Sequence, residues 1–140
     1  MSHLALQFLD PLLPQINLTR QLADDFDHRH RGFLSIDIKN GCVVPSCHKP
    51  VDVLRQANGW KFDGCIILNI GAVGTETGLN RDVLEMMRAA YHRKIFWGGG
   101  IASSADLHML QDAGFDGAII ATALHHGKIP MDWIRKGRVC

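Results

Sequence analysis

The chain has 140 residues, 46% of them hydrophobic and 21% charged, with a formal net charge of +1. That is enough apolar material for one soluble domain with its own core, and the even charge balance excludes the concentrated basic face of a nucleic-acid binder. No apolar run approaches the roughly 20 residues of a membrane span, so the expectation is a cytoplasmic protein with neither a nucleic acid nor a membrane as partner.

The first 13 residues are partly apolar but have no basic stretch ahead of them and are broken by Asp10 and Pro11, so they do not read as a signal peptide. Cys42, Cys47, Cys65 and Cys140 are accordingly expected as reduced thiols. Leu4, Leu6, Phe8, Leu9, Leu12 and Leu13 form a cluster able to cover apolar surface elsewhere, and a helix is predicted over about residues 18–28. Residues 1–31 therefore read as an N-terminal helical segment, 32–129 as a set of βα units and 130–140 as a short C-terminal helix or tail, all within a single domain.

The run from Phe33 to Ile38 is a buried-strand pattern. Pro50 opens a helix through Val53, Leu54 and Ala57, which Gly59 closes. Phe62-Asp63-Gly64-Cys65-Ile66-Ile67 then gives a second strand, and its pattern returns as Phe115-Asp116-Gly117-Ala118-Ile119-Ile120, so a layout is repeated. Between the copies, Asn80 caps a helix whose inner face is Val83, Leu84, Met87, Ala90 and Tyr91. Lys94 to Trp97 is a further strand. Ser103 with Asp106 makes a capping-box pattern ahead of Leu107, Leu110 and Ala113, and Gly114 supplies the stop. Lys128, Arg135, Lys136 and Arg138 read as a solvated last helix. The order α-βα-βα-βα-β implies an α/β fold of parallel strands with right-handed crossovers. Four such strands leave open edges and an uncovered face. Two copies could pair to complete eight strands, a separate four-unit partner could do so, or the sheet could flatten into a doubly wound sandwich.

Ligands bind at the carboxyl ends of strands in such folds. Asp37 ends the first strand and is a candidate acid or base. Asn69 ends the second, ahead of the Gly-rich stretch of residues 71–78, a possible ligand loop that contains Gly74 and Thr75. Gly98-Gly99-Gly100 follow the third and lead into the capped helix, a sequence suited to an anion because glycine lets backbone amides approach it and a helix N-terminus attracts it. Ala121 and Thr122 follow the fourth, small enough to leave room for the same anion. Cys42, Cys47 and His48, with His125 and His126, could be read as metal ligands, but the paired Cys-x-x-Cys form is lacking, so neither metal nor cofactor is expected. His28, His30, His92 and His108 fall on predicted helix faces or ends and read as surface residues.

Ser35-Ile36-Asp37, Gly74-Thr75 with Gly78, Gly99-Gly100-Ile101 and the run from Asp116 to Leu124 resemble, in this order and spacing, the C-terminal half of the histidine-biosynthesis isomerase and cyclase family (HisA/HisF). Its members are phosphoribosylformimino-5-aminoimidazole carboxamide ribotide isomerase and the imidazole glycerol phosphate synthase cyclase subunit. The resemblance implies half of a (βα)₈ TIM barrel, completed by oligomerisation, with a phosphate site at Gly99, Gly100, Ala121 and Thr122. It places Asp37 at the second of the family's two catalytic aspartates. The Val73-Gly74-Thr75 form, where the cyclase carries an acidic residue before Gly-Thr, and the Asn69-Ile70-Gly71 lead-in are more similar to an uncharacterised related family from archaeal and one-carbon-metabolising organisms. The expected function is binding of a phosphorylated sugar or metabolite, with isomerase- or lyase-type proton transfer at Asp37. The alternative is a non-catalytic module that pairs with a separately encoded barrel half.

Overall fold

The apolar runs that mark buried parallel strands are realised in a sheet with helices against one of its faces. The computed structural model describes residues 3–7, 31–72, 78–137 and 139. The helix expected over residues 18–28, the apolar residues Phe8, Leu9, Leu12 and Leu13, and Val73, Gly74, Thr75 and Cys140 lie outside the described residues. Five strands run parallel in the order β1 (His3–Gln7), β2 (Arg31–Lys39), β4 (Gly64–Asn69), β5 (Lys94–Gly98) and β6 (Gly117–Ile119). A two-residue strand, β3 (Cys42–Val43), pairs antiparallel to the end of β2. The helices are α1 (Pro50–Ala57), α2 (Arg81–Ala90), α3 (Ser104–Asp112), the single turn α4 (Thr122–His125) and α5 (Met131–Lys136).

Strand β1 departs from the expected organisation. Residues 3–7 were expected within a helical segment and instead pair with β2, from His3 opposite Arg31 to Gln7 opposite Ser35. Among the described residues the parallel strands therefore number five, not four.

Strand parity sorts the side chains. Leu34, Ile36 and Ile38 of β2, Cys65 and Ile67 of β4, and Ile95 and Trp97 of β5 are buried in one core with Val53 and Leu54 of α1 and Leu84 and Met87 of α2. Each fully buried aliphatic side chain there contributes roughly 2 kcal/mol. The opposite face carries Phe33, Ile66, Leu68 and Phe96, all half-buried, and Ile119, which is exposed. Pro50 stands at the start of α1 and the Asn80 side chain accepts from the Val83 amide at the start of α2. Val83 itself is exposed rather than inward, because Leu84, Met87 and Ala90 already fill the stripe that meets the sheet. Tyr91 is extended backbone past the helix end, fully buried.

The repeat has a physical meaning. Asp63 accepts the Gly32 amide on its carboxylate (3.0 Å) and returns its own amide to the Gly32 carbonyl (2.8 Å). Asp116 does the same with Ile95, at 2.9 Å in each direction. Each copy thus hooks the start of its strand onto the start of the preceding one. The glycine that follows has no room for a side chain. A Cβ on Gly64 would stand 2.5 Å from the Lys94 carbonyl oxygen and 2.8 Å from the Phe33 ring, and one on Gly117 2.6 Å from the Phe96 ring.

Candidate functional site

In-register parallel pairing brings Asp37, Leu68, Gly98 and Ile119 into one row at the carboxyl ends of the strands. Asp37 shares a face with Ser35, the one turned away from the helices, and both are buried, at 7% and 8% exposure. The Ser35 hydroxyl donates to Asp37 Oδ1 at 3.4 Å. Two polar residues at i and i+2 in an apolar strand are the sequence signal for this pair.

Next along the row, the chain leaves β5 through Gly98, Gly99 and Gly100. Gly99 has φ +96, and a Cβ there would lie 2.4 Å from the Asn69 carbonyl oxygen, so only glycine fits. The Gly99 carbonyl accepts from Trp97 Nε1 at 2.9 Å, and the Gly100 carbonyl from the Gly78 amide at 3.0 Å. Helix α3 begins just beyond. By helix geometry the amides of Ser104 and Ala105 have no intrahelical acceptor, and the Ser103 side chain does not cap them. The expected capping box is therefore not formed. Asp106 reaches past Ser103 and takes the Ala102 amide on Oδ2 (2.7 Å) and the Leu79 amide on Oδ1 (3.2 Å). This buried carboxylate ties the loop after β5 to the segment before α2, a role that the sequence reading, which used it only as a cap, did not find.

Ala121 and Thr122 leave the neighbouring strand β6, Ala121 as the residue before α4 and Thr122 as its first. The sequence-derived candidates therefore divide. Asp37, Gly99, Gly100, Ala121 and Thr122 lie along one end of the sheet, whereas Asn69 pairs with Ile38 and lines a cleft of about 590 Å³ between α1 and α2, shared with Ile38, Trp97 and Lys49. Asn69 thus opens toward the helices and Asp37 away from them. Gly74 and Thr75 lie outside the described residues.

The cysteines correct a second expectation. Cys42 and Cys47 are joined as a disulfide, with sulfurs 2.12 Å apart, rather than standing as reduced thiols or metal ligands. Spacing alone carries no signal for which cysteines face each other across the hairpin that follows Asp37. Among the described residues no three His, Cys, Asp or Glu side chains gather around one point; His125 and His126 lie at α4, exposed. Cys65 is free and buried on the helix side of the sheet, and burial pushes its thiol up to about 12. Burial first, and the neighbouring Cys65 second, also raise the Tyr91 hydroxyl. That hydroxyl lies close to Cys65 and Arg93 yet meets neither at hydrogen-bonding geometry. No helix among the described residues is long and apolar enough to cross a membrane.

Known proteins share long stretches of this sequence. A family model described as "Histidine biosynthesis protein" matches residues 12–130. A 1-(5-phosphoribosyl)-5-((5-phosphoribosylamino)methylideneamino) imidazole-4-carboxamide isomerase from Thermus thermophilus is 52% identical over 79 residues, which are 56% of this chain and 34% of that protein. An isomerase of the same name from Methanopyrus kandleri is 36% identical over 109 residues, 74% of this chain and 45% of its own length. An uncharacterized protein from Methanocaldococcus jannaschii is 35% identical over 102 residues, 72% of this chain and 43% of its own length. The chain thus spans between a third and a half of the length of these curated relatives.

Proposed function

The chain belongs to the histidine biosynthesis protein family, and from that premise we propose that it is a partial barrel that binds a phosphorylated sugar or metabolite, with Asp37 as the acid or base of an isomerase- or lyase-type proton transfer. The observation that carries this reading is the row in which the buried Asp37 and Gly98 stand at the same level on one sheet, with Gly99 and Gly100 leading from it to the uncapped start of α3. A phosphate there would accept the Ser104 and Ala105 amides and benefit from the helix dipole. Ala121 and Thr122 would add the second wall. Asp37, held by Ser35, would face the carbon skeleton of the ligand.

The isomerases among the relatives support an isomerase relationship. In this reading the sheet is completed by oligomerisation, through a second copy or a complementary half, over the face that holds Phe33, Ile66, Leu68 and Ile119. In the second reading the chain is a non-catalytic module that pairs with a separately encoded barrel half.

A titration with ribose 5-phosphate followed by amide chemical shifts tests the binding claim. Shifts are expected at Gly99, Gly100, Ser104 and Thr122, and their absence at saturating ligand would sink it. In a completed barrel that turns over a phosphorylated aldose, Asp37→Asn is expected to lower kcat about 10²- to 10⁴-fold. Undiminished turnover by that variant would leave Asp37 without the role.

A further inference from the structure

The Cys42–Cys47 disulfide takes no part in the site described above, yet its hairpin is built onto the strand end that carries Asp37. Asn40 and Gly41, at φ 53 and 77, form the tight turn that matches the twist of a two-residue hairpin loop. Lys39 then pairs with Cys42 and Ile38 with Val43. The next amide, that of Val44, donates to the Asp37 carbonyl at 3.0 Å. The chain returns through a bridge between Val43 and His48, and the Cys47 amide donates to the Val43 carbonyl at 2.7 Å. Cys47 is exposed and Cys42 half-buried, so a small thiol or disulfide in solution reaches the pair.

Two features make the link a local device rather than a structural staple. It joins residues only five apart in sequence, and so small a loop adds little to the stability of the whole domain. Strand β3 has two residues, and so short a hairpin holds together only with outside support. We propose that Cys42–Cys47 is a reversible thiol–disulfide switch whose bonded state holds Val44 against the Asp37 backbone and whose reduced state releases that strand end.

The bond forms by exchange with a low-molecular-weight disulfide such as glutathione disulfide. The Cys47 thiolate attacks one of its sulfurs and expels one glutathione thiolate. The Cys42 thiolate then attacks the Cys47 sulfur of the mixed disulfide and expels the second. The two cysteines lose two electrons, the small disulfide gains them, and the two cysteine protons end on the two glutathione thiols. Excess glutathione thiol drives the same steps backward. The effect on ligand chemistry rests on the reading of Asp37 as acid or base; the switch does not.

The test equilibrates the whole chain in glutathione redox buffers, counts free thiols by alkylation and mass spectrometry, and follows amide exchange at Val44 and Ile67 in the same samples. The pair is expected to interconvert in the folded protein. Val44 should exchange about tenfold faster once it is reduced, with Ile67 in the sheet unchanged. Cys42→Ser and Cys47→Ser should each show the reduced pattern in oxidising buffer. A pair that stays in one state across the whole range overturns the proposal, as does equal Val44 protection in both states. Loss of the Asp37 assignment would appear separately, as unchanged turnover in Asp37→Asn, and would leave the switch standing.

Discussion

At the amino ends of the strands, polar side chains are spent on tying the backbone together. Arg93 donates to the carbonyls of Trp60, Phe62 and Asn58, and Arg88 to those of Gly114, Tyr91 and Arg93 and to the Asp116 carboxylate. Asn58 bridges Ala90 and His92, and Asp63 and Asp116 hook strand to strand. At the carboxyl ends the same sheet offers a carboxylate, three consecutive glycines and a helix start whose cap side chain makes no bond. One end can be left open because the other is fastened. Substitutions at the two ends should therefore fail in different ways, those at the fastened end in stability alone and those at the open end in ligand binding as well.

The largest expected effect is at the open end. Gly99→Ala must both hold φ +96 and clear the Asn69 carbonyl, which should cost about 3 kcal/mol and abolish the amide shifts on adding ribose 5-phosphate. A thermally normal variant that still bound would break the comparison. Arg93→Ala, at the fastened end, removes donors from three carbonyls. A loss of about 2 kcal/mol is expected in urea denaturation, with ligand shifts retained in the folded fraction. The two hooks sharpen the comparison further. Asp63→Ala should cost about 1 kcal/mol and Asp116→Ala about 1.5 kcal/mol, because Arg88 also loses its carboxylate in the second. For a chain of this size each kcal/mol lowers Tm by about 4 °C, so calorimetry separates them.

The smallest effect is on alkaline stability. Cys65 and Tyr91 keep their protons in the fold longer than in the unfolded chain, where the thiol ionises near its ordinary value of 9.0. From there up to about 12 the unfolded state holds fewer protons, so stability falls as pH rises across that window. Cys65→Ala should make the decline shallower in urea melts between pH 8 and pH 10, chosen as roughly bracketing the thiol's ordinary value.

Much of this was legible in the sequence because it is local. Pro50, Asn80 and Gly114 mark helix boundaries through their own backbone and side-chain chemistry, and the Phe-Asp-Gly repeat announced two equivalent strand entries. What escaped depends on contacts distant in sequence or on direction. Strand β1 is five residues long, and its Leu4 and Leu6 alternation gains meaning only from pairing with residues 31–35. The Asp106 carboxylate takes an amide that lies 27 residues away. Asn69 ends β4 whereas Asp37 lies two residues before the end of β2, and their paired positions differ by one residue, which turns them to opposite faces. The glycines after β5 were readable as a group, whereas the need for Gly99 in particular comes from the Asn69 carbonyl beside it.

The phenyl rings of Phe33 and Phe96 meet edge to face with centroids 5.7 Å apart, each seated over the glycine of the next strand. Those seats act as an alignment gauge for the sheet. If β4 slid by one residue against β2, Phe33 would meet Cys65 in place of Gly64, and the same slip of β6 would set Ala118 under Phe96. Either shift puts a side chain where the ring now lies, so mispaired strands are disfavoured sterically. The repeated glycine thereby contributes to the accuracy of assembly, and through the row at the far end of the same strands it fixes the level that Asp37 and Gly98 share across the intervening Leu68.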